Sequence, residues 1–162
     1  MERSKRVKSG KDTGTGRAVI MGQRMWQQAE RDLESARLML QPRSNYVAAN
    51  LAQQAAEKAL KAAHWHLLGK EPPWSHDLAS LAEQFTAQVE QIPRGVHAAI
   101  ALLDPLFERT RYPSGRAEEP IPADLVGEED ARTAIQSAEE VMAWVRTLLQ
   151  DQPGKARHKQ NC

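Results

Sequence analysis

Cysteine, long apolar runs and secretion signals are scarce or missing in this 162-residue chain, and each shortage excludes a class of protein. The one cysteine, Cys162, has no partner for an internal disulfide, which favours a reducing compartment. No apolar run approaches the roughly 20 residues that cross a bilayer. The basic, polar start lacks the apolar stretch of a secretory signal. We therefore expect a soluble, cytoplasmic protein.

Residues that favour strands are also few. Aromatic residues make up 5% of the chain and β-branched residues never cluster, which argues against an all-β fold. Much of the 41% hydrophobic share is alanine, which suits closely packed helices. The length fits one domain that is large enough to bury a helical core.

Apolar residues recur at helical spacing in successive segments. The first helix is predicted to begin at Met25 and to end before Pro42, and the second to run from about Asn45 to Gly69. A third begins near Ser75 as its N-cap, a fourth follows Pro93, and the last covers about residues 128–150. Asp104 as a cap and Pro105 as a first helical residue predict a short additional turn. The fold class is therefore an all-α, antiparallel up-and-down bundle of four long helices plus a short helix.

Charge and composition divide the chain into three parts. Residues 1–22 carry six basic and two acidic residues without apolar periodicity and are predicted to be a disordered basic tail. Residues 23–151 form the predicted bundle domain, and residues 152–162 a flexible basic tail. The bundle is mildly acidic, whereas a broad nucleic-acid-binding face normally carries positive charge. RNA binding is therefore disfavoured.

Few histidines or carboxylates have spacings typical of a metal or catalytic site. His64 and His66 are two residues apart on a helix and point to nearly opposite sides, so we expect no shared metal. His76 precedes an aspartate as an oriented base would, but the start of a helix explains both residues. Glu57 and Lys61 are four residues apart, which predicts a helix-surface ion pair.

The segment Arg109-Thr110-Arg111-Tyr112-Pro113 is the strongest candidate for binding. Two arginines and an aromatic residue precede residues 113–127, a stretch with three prolines and two glycines that predicts a long loop. Guanidinium groups bind phosphates or carboxylates bidentately, and the adjacent ring is placed to stack on a base. The alternative is structural, with Arg111 tying the loop to the bundle while Tyr112 packs.

Four segments in the correct order make the chain resemble the HEPN family over about residues 25–150. They comprise Trp26, Ala29, Asp32-Leu33 and Ala36, then Gln53-Gln54-Ala55-Ala56-Glu57-Lys58-Ala59-Leu60-Lys61-Ala62, then His76-Asp77-Leu78, and finally Arg111-Tyr112-Pro113. The resemblance implies a bundle that commonly dimerises. The chain has more apolar residues than a narrow core seam needs, among them Trp65 and Trp74. We expect these two tryptophans to contribute to the dimer interface.

Relatives implied by the resemblance have different activities. They include nucleotide-binding domains such as the one that ends sacsin, small bacterial proteins encoded beside minimal nucleotidyltransferases, and RNA-cleaving toxins of toxin–antitoxin systems. Those toxins carry an arginine, a polar residue and, a few positions on, a histidine. Here the residues after Arg111, Tyr-Pro-Ser-Gly-Arg-Ala, contain no histidine, and the pair Arg94 and His97 has the wrong spacing. This departure argues against a nuclease.

The leading interpretation is a non-catalytic dimeric module that binds a nucleotide or similar anion, a nucleotidyltransferase partner, or both. Arg111 and Arg109 would hold the anion, Tyr112 would stack, Lys58 and Lys61 would add charge, and His76 completes the ligand-binding set. We expect no cofactor, no bound metal and no membrane partner. The rivals are a metal-independent RNase with His76 or His97 as the base, and a purely structural interaction domain.

Overall fold

The chain, in a computed structural model that describes residues 14–151, is an antiparallel bundle of α-helices. Within that range there are seven helices and no strand, which confirms the predicted fold class. The helices are α1 (Gly14–Met39), α2 (Asn45–Leu68), α3 (Leu78–Glu83), α4 (Arg94–Leu103), α5 (Leu106–Arg109), α6 (Pro122–Leu125) and α7 (Glu128–Gln150). Three of them exceed 20 residues, and the third predicted helix is shorter than expected. None of the helices in residues 14–151 is both long and apolar enough to span a bilayer.

Ion pairs show the direction of the long helices. Arg37 of α1 pairs with Glu139 of α7 at 2.6 Å, and Glu30 lies 3.8 Å from Arg146. Because the residue numbers rise along one helix as they fall along the other, α1 and α7 are antiparallel. The short connection between α1 and α2 makes those two helices antiparallel as well.

The core is centred on the alanine-rich face of α2. Alanine has the highest helix propensity and a small side chain, so it favours the helix and lets neighbours approach closely. Eight alanines of α2 are fully buried between α1 and α7: Ala48, Ala49, Ala52, Ala55, Ala56, Ala59, Ala62 and Ala63. The helix ends at Gly69, whose φ of 63° is left-handed and whose N–H donates to the carbonyl of Trp65.

The start of α1 corrects the predicted boundary of the N-terminal tail. The helix begins at Gly14, eleven residues before Met25, so residues 14–22 belong to the bundle. Ala18 is buried, and a Cβ on Gly22 would lie 3.5 Å from the Ala62 carbonyl oxygen. These small residues continue the α1–α2 contact although they give almost no apolar signal. Residues 1–13 and 152–162 lie outside the described residues, and their predictions stay predictions.

The junction before α3 also differs from the prediction. The N-cap of α3 is Asp77, whose carboxylate accepts a hydrogen bond from the Ser80 N–H at 2.7 Å, whereas Ser75 was expected to cap it. Asp104 does not cap the turn that follows it. Its carboxylate accepts from the N–H groups of Leu78 at 2.7 Å and Ala79 at 3.3 Å. Burial raises the pKa of Asp104, and these two hydrogen bonds oppose that rise.

The two tryptophans expected at a dimer surface have opposite environments. Trp65 is only 5% exposed and belongs to the core, so the prediction that placed it at a surface is wrong. It faces inward because α1 extends further than its apolar pattern indicated. Trp74, in the connection between α2 and α3, is 98% exposed.

The extension of α1 predicts a measurable contribution from residues 14–22. A chain that begins at Gln23 should lose about 1 kcal/mol of unfolding free energy, since it lacks the buried Ala18 side chain. Its melting temperature should fall by roughly 2–4 °C relative to a chain that begins at Gly14. Equal melting temperatures in a calorimetric comparison would contradict the packing of this segment.

Candidate functional site

The polar face of α2 carries two rows of side chains, each spaced four residues apart. Residues at this spacing lie on one side of a helix and contact one another. The first row is Asn50, Gln54 and Lys58, and the second is Gln53, Glu57 and Lys61. Both rows end in a lysine, and together they cover the side of α2 opposite its alanines.

The first row connects α1 with the end of α5. Lys58 Nζ donates to Asp32 at 2.5 Å and to the Gln54 amide oxygen at 3.1 Å. Gln54 donates to Asn50 at 2.6 Å, and Asn50 donates to the Thr110 hydroxyl at 2.9 Å. Lys58, which the sequence offered as a source of binding charge, is therefore paired with a carboxylate that is itself buried.

The second row is organised around the carboxylate of Glu57. It accepts hydrogen bonds from Lys61 Nζ at 2.8 Å and from His76 Nδ1 at 3.1 Å, with Gln53 Nε2 at 3.4 Å. The predicted Glu57–Lys61 pair is confirmed, but its surface location is wrong, because Glu57 is only 7% exposed. The His76 side chain, contributed by the connection between α2 and α3, contacts this carboxylate directly.

Opposing effects act on the pKa of Glu57. Burial raises it, while the hydrogen bond and charge of Lys61, followed by those of His76, lower it by more. The pKa of Glu57 is therefore below its ordinary value, and the side chain is a carboxylate at neutral pH. A carboxylate only accepts hydrogen bonds, so Nδ1 of His76 donates the shared proton to Glu57.

Phe107 of α5 brings His76 and Arg111 into contact with one ring. The His76 ring stacks on Phe107 with centroids 4.3 Å apart and planes inclined by 16°. The Arg111 guanidinium carbon lies 4.1 Å from the same centroid, and Nη1 donates to the Phe107 carbonyl oxygen at 2.7 Å. The guanidinium is thus held in orientation by a cation–π contact and by one of its five N–H donors.

Arg111 has no carboxylate at ion-pair distance among residues 14–151. Glu108 and Glu118, two carboxylates near it in sequence, do not pair with it. Burial lowers the pKa of Arg111, and the charges of Glu57 and Tyr112 oppose that change. The guanidinium remains a cation with donors to offer a ligand.

The residues predicted as a ligand-binding set are only partly brought together. Lys61, His76 and Arg111 meet through Glu57 and Phe107, which makes one site from three segments of the chain. Arg109 and Tyr112 are exposed, and they lie two residues before and one residue after Arg111. Lys58 belongs to the first row, one turn before Lys61 on α2.

The histidines considered for a metal or for catalysis lie apart from one another. His64 is buried with Nδ1 3.1 Å from the Lys70 carbonyl, while His66 Nε2 lies 3.1 Å from the carbonyl of Asp151. His97 is on the exposed side of α4. Across residues 14–151, no group of three or more His, Cys, Asp or Glu side chains is arranged so that it could hold a metal ion.

Sequence reasoning missed the cavity beside Phe107. It has a volume of about 310 Å³ and is lined by His76, Asp77, Asp104, Pro105, Phe107 and Glu108. Phe107 lies four residues before Arg111, a spacing that would have indicated their contact on one helical face. Asp77 and Asp104 are far apart in sequence, so no local pattern indicated that they would line the same cavity.

Comparisons with known proteins agree with this architecture. The family model of the HEPN domain matches residues 23–148. A crystal structure of a Thermus thermophilus protein shares 29% identity at a TM-score of 0.71 and covers 79% of this chain and 98% of its own. An archaeal HEPN homologue shares 27% identity at a TM-score of 0.64, over 79% and 97% of the two chains.

A HEPN domain protein from Thermotoga maritima has the same fold. It is 24% identical with a TM-score of 0.61 and covers 78% of this chain and 98% of its own. Among curated proteins, none is similar enough to the chain to count as a relative.

The buried carboxylate predicts a pH-dependent contribution to stability. Glu57→Gln should lower the unfolding free energy by about 3 kcal/mol at pH 7, because Lys61 loses its partner. Since the folded pKa is lowered, this contribution is present above the ordinary value of 4.5 and is lost as pH falls through the folded pKa. Urea unfolding between pH 3 and 7 measures the difference. Glu34→Gln, at an exposed ion pair, is the control. A wild-type advantage that persisted unchanged at pH 3 would contradict an ionised Glu57.

Proposed function

The chain belongs to the HEPN domain family, and from this premise we propose that it is a non-catalytic dimeric module that binds a nucleotide or similar anion. The observation that carries the proposal is Arg111, a guanidinium held in orientation without a carboxylate partner among the described residues. A nucleotidyltransferase that presents such an anion is the partner implied by the resemblance.

The physical argument starts from the cost of binding. An arginine paired with a carboxylate must give up that pair before it binds a phosphate, whereas Arg111 keeps its ring contact and its one backbone hydrogen bond. Its remaining donors match the oxygens of a phosphate in a planar, bidentate arrangement. Because the side chain is already oriented, little additional conformational entropy is lost on binding.

Neighbouring charges support the same interpretation. Lys61 offsets the charge of Glu57, so the carboxylate repels an anion less than an unpaired one would. Arg109 is exposed without an ion pair in residues 14–151 and adds positive potential. Tyr112, 64% exposed, offers a ring for stacking against a base.

The dimeric part of the proposal has separate support. HEPN domains often dimerise, and this chain belongs to that family. Trp74 is 98% exposed between α2 and α3, only two residues before His76. Burial of a tryptophan of this size would contribute to an interface close to the proposed site.

Removal of the Arg111 side chain tests the anion site. We expect Arg111→Ala to weaken binding of a nucleoside triphosphate or of inorganic tripolyphosphate by at least about tenfold. A loss of this size corresponds to the free energy of one charge-assisted hydrogen bond. The melting temperature should fall only slightly, since no ion pair is broken. Titration calorimetry gives the affinity, and a thermal melt gives the stability.

A matched control removes the same charge elsewhere. Arg132→Ala removes an exposed arginine of α7 that pairs with Glu128, and it should leave anion affinity nearly unchanged. A wild-type protein that binds no polyphosphate, or an Arg111→Ala variant that melts far earlier with unchanged affinity, would establish the structural role instead.

A metal-independent RNase is the second candidate, because His76 and Arg111 contact the same Phe107 ring. Glu57 orients His76 through Nδ1 and leaves Nε2 for a substrate, and a nearby guanidinium is suited to a phosphorane. This chain nevertheless lacks the spacing of arginine and histidine that the toxin relatives carry. His97, the other base that the RNase hypothesis named, lies on α4 away from this ring.

We expect purified protein to leave both structured and single-stranded RNA intact. The reason is that the histidine found a few positions after the arginine in the toxin relatives is missing after Arg111. Gel analysis of the RNA after incubation, beside His76→Ala and His97→Ala variants, gives the measurement. Cleavage by the wild type that either variant abolishes would make the RNase the correct function.

A further inference from the structure

The cavity beside Phe107 combines aromatic surfaces with acceptors of hydrogen bonds. Its rings are His76 and Phe107, which already stack on each other, and its carboxylates are Asp77, Asp104 and Glu108. Its volume of about 310 Å³ is near the lower end of the roughly 300–1,000 Å³ typical of small-molecule sites. One planar, polar group of modest size fits such a space.

Of the three carboxylates, only Glu108 accepts no hydrogen bond from any residue between 14 and 151. Asp77 accepts from the N–H of Ser80, and Asp104 accepts from the N–H groups of Leu78 and Ala79. The Glu108 carboxylate is exposed, and no residue between 14 and 151 donates to it. Glu108 is therefore the wall residue from which a ligand would gain the most.

Charge is divided across this small region. Arg111, a cation, contacts the Phe107 ring without lining the cavity, whereas the carboxylates line the cavity itself. A ligand that is anionic throughout is repelled by the carboxylates, and one that is cationic throughout is repelled by Arg111 and Lys61. A ligand with an anionic end and a planar end rich in hydrogen-bond donors satisfies both.

We propose that the cavity holds the base of the bound nucleotide and that Glu108 selects bases with an exocyclic amino group over uracil. The inference rests on the proposed binding of the nucleotide phosphates at Arg111. A carboxylate only accepts hydrogen bonds, and cytosine, adenine and guanine each present an amino donor to it. Uracil has a carbonyl oxygen, O4, where cytosine has its amino group, and a carboxylate repels that oxygen.

Because His76 and Phe107 stack on each other and Arg111 contacts the Phe107 ring, a base would contact the outer face of His76 and the edge of Phe107. This contact contributes to binding of every base, because each base has an aromatic face. It therefore raises affinity without discriminating among bases. The difference between bases comes from their edges, and Glu108 is the free acceptor at the cavity wall. Glu108 is thus a specificity-determining residue in this proposal.

The test compares CTP with UTP, whose bases differ at the amino-bearing edge. Titration calorimetry on the full chain should show that CTP binds about tenfold more tightly than UTP, as one charge-assisted hydrogen bond predicts. Glu108→Gln, which keeps the shape but can donate as well as accept, should bring the ratio of the two affinities close to one. Glu118→Gln, the same charge change in the exposed loop outside the cavity, should retain the wild-type ratio.

Inorganic tripolyphosphate separates this inference from the proposed function. If tripolyphosphate binds to the wild type while CTP and UTP bind equally well, base selection is wrong and the anion site stands. A CTP preference that survives in Glu108→Gln also overturns the assignment. If neither tripolyphosphate nor the nucleotides bind, both proposals fail.

Discussion

The buried carboxylate of Glu57 is the constraint on which the rest of the site depends. A charge out of contact with water is costly unless cations and hydrogen-bond donors surround it. Lys61 of the same helix and His76 of the next connection supply them, and the charge of Arg111 acts from the segment just after α5. Segments far apart in sequence are thereby brought to one point of α2. The residues of the candidate site are neighbours because they share this requirement.

Helix α2 serves two purposes with two faces. Its alanines form a smooth surface against α1 and α7, so the helices approach closely and the core fills without large side chains. Its opposite face carries the two polar rows, in which each side chain finds a partner one turn away or on another helix. The packing face gives the rigidity that orients the polar face, as a precise binding site requires.

The sequence predicted the bundle and several residues of the site, but not their surroundings. Helical periodicity located α2, α4 and α7 closely, since apolar residues dominate their buried faces. The first turns of α1 were missed because Ala18 and Gly22 pack through small size. Arg111 and Lys61 could be named from charge, whereas the burial of Glu57 depends on a connection that folds across α2. Such tertiary contacts leave no local pattern.

The attachment of α3 to Asp104 has a consequence for motion in the bundle. The amide hydrogens of Leu78 and Ala79 are held by a side chain from the α4–α5 junction rather than by a helical ladder. Rotation of that one side chain is enough to free them, so their exchange with solvent deuterium requires a local opening and not global unfolding. Exchange of these two amide hydrogens is therefore a local measure of the contact between α3 and the α4–α5 junction, separate from the opening of the long helices.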